Sequence, residues 1–157
     1  MSAVVGCDFS THAIDLVKLD ETDNHATWTR IPLEGTTAWE RTRHAAQQMP
    51  RGSYWDDVYL AAIESPKSAG FNTATKLHRV QGVVLANIPA GLHVWEVTPA
   101  EWKKQLGISV SVKPSPRDFP ALLDIATCGF LDWPQDALDA LGIALYARET
   151  NRKGIAA

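Results

Sequence analysis

Four acidic residues stand where carboxylates can do chemistry. Asp8 ends a short apolar run that begins at Ala3, and Glu64 ends a second such run over residues 57–64. Asp136 and Asp139 lie three residues apart in a Leu- and Ala-rich segment of helical composition, which puts both on one helical face. The first turn of a helix favours acids on electrostatic grounds alone, and an acid after a strand is common. Taken together, the four permit a sharper chemistry. Carboxylates converging at one point repel unless a cation lies among them. All-oxygen ligands suit Mg²⁺ or Mn²⁺. Two such ions about 4 Å apart can activate a water and stabilise the leaving oxygen of a phosphodiester. The Asp136/Asp139 pair thus reads as helix capping or as metal binding, and Asp8 and Glu64 tip it toward metal.

Positioning these acids requires strands that end together. Residues 3–8 read as a buried strand. Residues 13–19 and 25–31 alternate and read as two more, joined by short turns into an antiparallel meander. Residues 36–49 have helical composition, with Thr36 or Thr37 as N-cap and Glu40 near the third helical position. The run 57–64 follows a helix and is expected to lie parallel to the first strand. A long helix is expected over residues 72–87, with Leu77, Val80, Val84 and Leu85 as its apolar stripe. Residues 92–97 form another apolar run. Thr98-Pro99-Ala100-Glu101 then has the layout of a capping box with proline at the first helical position, opening a helix with Trp102, Lys103, Lys104 and Leu106. Residues 110–116 read as a loop and 119–127 as a short helix. The last helix is expected from after Trp133-Pro134 to about Arg148.

This order, β-β-β-α-β-α-β-α-(α)-α, defines an α/β protein: a mixed five-stranded sheet, three antiparallel strands then two parallel, flanked by helices. Parallel neighbours would bring Asp8 and Glu64 to one sheet edge, where open α/β sheets bind ligands. The expected organisation is one domain over residues 1–150 and a short tail over 151–157.

A chain of 157 residues suits a single core. Its net charge of −3 counts on its face against a nucleic-acid partner. Acids committed to metal would not act as free negative charge, so the placement of Lys and Arg discriminates better. Lys67, Lys76, Arg79, Lys103, Lys104, Lys113 and Arg117 fall in segments flanking the acids, where they could neutralise phosphates. Each is otherwise a solvated surface residue. Phe71 is either a core residue or a side chain that stacks on an unpaired base. Cys7 and Cys128 lack metal-finger spacing and read as buried thiols. No run reaches membrane-span length and no signal-like N-terminus is seen, so a cytoplasmic protein without a membrane partner is expected.

Three segments resemble the active-site motifs of RuvC-type Holliday junction resolvases, which are RNase H-like nucleases. They are Gly6-Cys7-Asp8-Phe9-Ser10, Ala62-Ile63-Glu64-Ser65-Pro66, and Asp136-Ala137-Leu138-Asp139-Ala140-Leu141-Gly142-Ile143-Ala144. The stretch from Lys76 to Val84 resembles the family's helix, with Gly82 as the small residue where it passes the sheet. Val97-Thr98-Pro99 followed by Trp102-Lys103-Lys104 resembles its strand-to-helix junction. The resemblance runs from about residue 3 to about residue 148.

It implies an RNase H-like fold and a homodimer that binds four-way DNA, each subunit nicking one of two symmetry-related strands. Asp8, Glu64, Asp136 and Asp139 would hold the metal: Mg²⁺, with Mn²⁺ able to substitute, two ions per site. Lys104 would contact phosphates close to the scissile bond, and Lys113 could supply a second basic contact. Phe71 is the aromatic available for the family's wedge. The helix over residues 71–87 is the candidate dimer face. Three departures stand out: Phe9 replaces a frequent proline, Ser109 to Pro114 replaces a Gly-rich, Lys-containing segment, and Phe71 lies a few residues later than the family's wedge. A dimer that binds branched DNA without cutting it is the non-enzymatic alternative, and a broader flap or branch nuclease the enzymatic one. A sugar-kinase-like phosphate loop at Gly6 to Thr11 is a third, for which the chain is short of a second lobe.

Overall fold

A computed structural model describes residues 2–23, 25–66, 71–119 and 132–154, with Phe71 described by its backbone alone. Five strands form one sheet: β1 (Ala3–Phe9), β2 (Ala13–Asp20), β3 (Ala26–Pro32), β4 (Val58–Glu64) and β5 (His93–Val97). Their order is β3-β2-β1-β4-β5. The first three pair antiparallel, while β1–β4 and β4–β5 pair parallel. The expected mixed sheet is therefore present. Its helices are α1 (Ala38–Gln48), α2 (Phe71–Asn87), α3 (Pro99–Gln105) and α4 (Gln135–Arg152).

Strand alternation divides the side chains between two layers. Val5, Cys7, Phe9, Ile14, Leu16, Ala61 and Ile63 face α1 and α2, meeting Ala45, Met49, Val80, Val83 and Val84. Val4, Val17, Leu19, Leu60 and Ala62 face the opposite layer, built from α4 and Trp102 of α3. Helix α4 is buried along most of its length. Fully burying residues such as Leu141 and Ile143, both 0% exposed, contributes about 1.5–3 kcal/mol each.

Close approach between α4 and its neighbours depends on two glycines. A Cβ on Gly6 would lie 2.1 Å from the Ala140 carbonyl oxygen, and a Cβ on Gly142 would lie 2.6 Å from the Trp102 ring. Gly82, expected to pass the sheet, does not: a Cβ there would meet nothing within 4 Å. The reason is helix phase. Val80, Val83 and Val84 form the buried stripe of α2, continued by Ile88 just past its end, which leaves Gly82 and Leu85 facing outward. Leu85 is accordingly exposed rather than part of the stripe.

Both expected capping boxes are present, Thr37 with Glu40 on α1 and Thr98 with Glu101 on α3. The last helix runs to Arg152, one turn beyond the expected end. Arg148, buried, donates to the Asp20 carbonyl at 3.0 Å, and Arg152 donates to Glu21 Oε1 at 2.7 Å. These contacts tie the final turns to the end of β2. The short helix expected over residues 119–127 falls, apart from Phe119, outside the described residues, as does Cys128. Among the described residues, no helix is long and apolar enough to cross a membrane.

Candidate active site

The strand register assembles the acids. Val4, Gly6 and Asp8 share the α4 side of β1, as do Leu60, Ala62 and Glu64 on β4. Cys7 pairs with Ile63 in parallel register, so Asp8 and Glu64 follow side by side at the strand ends. Helix α4 crosses β1 with Ala140 and Ala144 against Gly6. Its N-terminal end therefore reaches beyond Gly6 toward Asp8, with Asp136 in the first turn and Asp139 at the start of the second. The positive end of the helix dipole meets the same edge.

The acids stand close enough to act on one another's charge. The Asp8 carboxyl is pushed well above its usual range, first by burial and then by Glu64, Asp139 and Asp136. Burial also raises Glu64, with Asp139 adding to it, although a hydrogen bond from Trp102 and the charge of Lys103 pull it down. Asp139 is raised by burial and by Asp136, against the lowering effects of Gln135, Lys103 and Lys113. The group is an all-oxygen donor set, and a divalent cation held among its members would offset the charge that raises Asp8, Glu64 and Asp139. Its chemistry fits Mg²⁺ or Mn²⁺.

Protein partners already engage three of the acids. Trp102 Nε1 donates to Glu64 Oε2 at 2.9 Å, Gln135 Nε2 donates to Asp139 Oδ1 at 3.0 Å, and Arg30 Nη2 donates to Asp136 Oδ2 at 3.2 Å. Among the described residues, no three Asp, Glu, His or Cys side chains are arranged close enough to hold an ion as they stand. The acids share an environment without forming a closed ligand shell.

The basic residues divide between the two layers. Lys103 stands beside the acids: it acts on Glu64 and Asp139, donates to the Val110 carbonyl at 2.7 Å, and lies 5.4 Å from the Trp102 ring centre. Lys113 also acts on Asp139, from a loop anchored by the Gln135 bond to the Pro114 carbonyl at 3.1 Å. Lys104, expected nearest the scissile bond, instead lines a groove with Glu101, Gln105, Tyr146, Thr150 and Lys153. Burial of Trp102 sets this phase: at about 100° per residue, Lys104 falls on the side of α3 away from Trp102. Lys76 and Arg79 lie on the other layer, lining a cleft of about 240 Å³ with Arg41, Thr11, Thr36 and Thr42. Lys67 and the Phe71 side chain lie outside what the structure describes.

Sequence reading missed Asp15. It sits opposite Asp8 in the β1–β2 register, is 1% exposed, and receives the Trp28 indole N–H at 2.8 Å. Burial raises its carboxyl as well, and Asp136 and Asp139 add to the effect. The signal was available: Asp15 shares its strand phase with Val17 and Leu19, so an acid occupies an inward position. Arg30 was missed because only the fold brings β3 over the start of α4.

A five-stranded sheet of this order, three strands antiparallel and two parallel, with its last helix packed across the first strand, is the RNase H-like fold. Among solved structures, the chain has the fold of the RuvC resolvase. It superposes on Thermus thermophilus RuvC in complex with Holliday junction substrate with a TM-score of 0.75 at 20% identity, covering 99% of this chain and 98% of that one. A second Thermus thermophilus RuvC structure gives 0.65 at 18% identity, covering 98% and 97%. No family model matches the chain, and no curated protein matches it by sequence.

Proposed function

We propose that the protein is a metal-dependent, structure-specific DNA endonuclease that resolves four-way junctions by paired symmetric nicks. The observation that carries this reading is the placement of Asp8 and Glu64 side by side at the ends of β1 and β4, under the end of α4 that bears Asp136 and Asp139, on a RuvC-type fold. Asp8, Glu64, Asp136 and Asp139 hold the metal, Mg²⁺ with Mn²⁺ able to substitute, two ions per site. Bound there, the metal supplies an activated water and charge stabilisation for the phosphodiester. The chain's own residues do the rest. Trp102 and Gln135 orient Glu64 and Asp139 through hydrogen bonds to one oxygen of each carboxylate. Lys103 and Lys113 bring positive charge to the rim, where a scissile phosphate would lie. Lys104, Lys76 and Arg79 are left to contact phosphates farther from the cut.

A two-fold junction calls for two opposed sites, and so for a symmetric homodimer. The outward face of α2 suits it: Gly82, Ala86 and Asn87 line a groove with Trp39 of α1, a residue that is 74% exposed. Small residues there allow close helix approach.

The test is purified protein with Mg²⁺ on labelled four-way, three-way, flap and linear DNA. Paired nicks on the four-way substrate alone support the reading, and cleavage of every branched form would make it a broader nuclease. One observation favours a second reading, a dimer that binds junctions without cutting: three of the acids are already engaged by Trp102, Gln135 and Arg30. Junction binding with no Mg²⁺- or Mn²⁺-dependent nicking would establish that alternative.

A further inference from the structure

Two residues outside the four-acid set converge on Asp136. Arg30 Nη2 lies 3.2 Å from Asp136 Oδ2 and 3.7 Å from Asp15 Oδ2. That Asp15 oxygen is buried and accepts no hydrogen bond from any described residue, while its other oxygen is held by Trp28 at 2.8 Å. Trp28 also packs against Trp133, just before α4, with ring centres 5.9 Å apart. The guanidinium thus bridges a buried, fixed acid on β2 and a half-exposed acid on the first turn of α4.

From this geometry we infer that Arg30 is a resident counter-ion for Asp136, restrained by Asp15, which a divalent cation must displace. The inference rests on the metal-dependent reading of the site. Arg30 supplies positive charge where acids crowd, so the site folds without metal. Asp15 shares that guanidinium and keeps it from settling wholly on Asp136. Asp15 and Arg30 are positioning residues: they set how much Asp136 is available to metal, without themselves being ligands.

The two residues therefore act with opposite sign. Removing Arg30 removes a competitor and a like charge, so divalent cations bind more tightly. Removing the Asp15 charge releases Arg30 onto Asp136 and weakens cation binding. A merely structural role would weaken binding in both cases. Asp15→Asn is a suitable variant because its amide oxygen can still accept the Trp28 N–H.

Calorimetric titration with Mn²⁺, without DNA, tests this on wild type, Arg30→Gln, Asp15→Asn and the double variant. Arg30→Gln should tighten Mn²⁺ binding about tenfold and Asp15→Asn weaken it about tenfold, magnitudes expected for a unit charge beside a divalent ion. In the Arg30→Gln background, Asp15→Asn should cost no more than about threefold, since its effect runs through the arginine. Weaker or unchanged binding in Arg30→Gln, or an equal Asp15→Asn effect in both backgrounds, overturns the inference while leaving junction nicking by wild type intact. If Asp15→Asn fails to fold, Arg30→Gln alone decides. Wild type that neither binds Mn²⁺ nor nicks junctions overturns the functional reading and this inference with it.

Discussion

Gly6 on β1 lies directly beneath Ala140 on α4, so close that a β-carbon on the glycine would stand 2.1 Å from the Ala140 carbonyl oxygen. This contact fixes how far α4 slides along the sheet. It thereby fixes where Asp136 and Asp139 stand relative to Asp8, two residues farther along β1.

Gly6→Ala is expected to displace α4, because the clash is with backbone rather than with a flexible side chain. Overpacking of this kind costs about 1–3 kcal/mol, and the displaced helix would also separate the acids. Urea unfolding should show the loss, and Mn²⁺ titration should show weaker binding. Wild-type stability and metal affinity would contradict the placement of α4.

Asp8→Asn is expected to stabilise the metal-free protein while abolishing nicking. The folded-state pKa of Asp8 lies above its unfolded value, so ionisation is costlier in the folded protein. That penalty is absent at a pH below the unfolded pKa. It grows as pH rises toward the raised folded pKa and stays constant above it. The stability advantage of Asp8→Asn in EDTA should therefore be largest near neutral pH and shrink as pH falls through that window. Thermal unfolding across pH checks it, and an advantage that grows with acid would contradict it.

Lys103→Ala should slow single-turnover junction cleavage by about tenfold or more, the scale of losing one preorganised charge at the reacting phosphate. Lys104→Ala should change it little and act mainly on the salt dependence of binding. The reverse ranking would return the nearer role to Lys104.

Gly82→Glu offers a probe of the homodimer, because a β-carbon there would meet nothing within 4 Å among the described residues. Light scattering should show a dimer for wild type and a monomer for the variant, with unfolding unchanged. A dimer that survives the substitution would place the interface elsewhere.

The fold was largely legible because its cues are local. Alternation marked β2 and β3, capping boxes marked α1 and α3, and an apolar run ending in an acid marked β1 and β4. Phase was less legible. Whether Lys103 or Lys104 faces the acids depends on Trp102 burying itself against Gly142, a contact between segments 40 residues apart. Gly82 shows the same limit: a small residue signals close approach only when the helix turns it inward. Asp15 was legible in principle, as an acid in the inward phase of Val17 and Leu19, whereas Arg30 became part of the site only through β3's place over α4.

The central claim is that the acids at the ends of β1 and β4, with those on α4, form a metal-dependent junction-cutting centre. Its most direct measurement compares wild type with Asp8→Asn and Asp139→Asn on a strand-labelled four-way junction, with Mg²⁺ or EDTA. Symmetric paired nicks by wild type with Mg²⁺ alone, and none by either variant despite retained junction binding, are predicted. Nicking that survives both substitutions or proceeds in EDTA would contradict it.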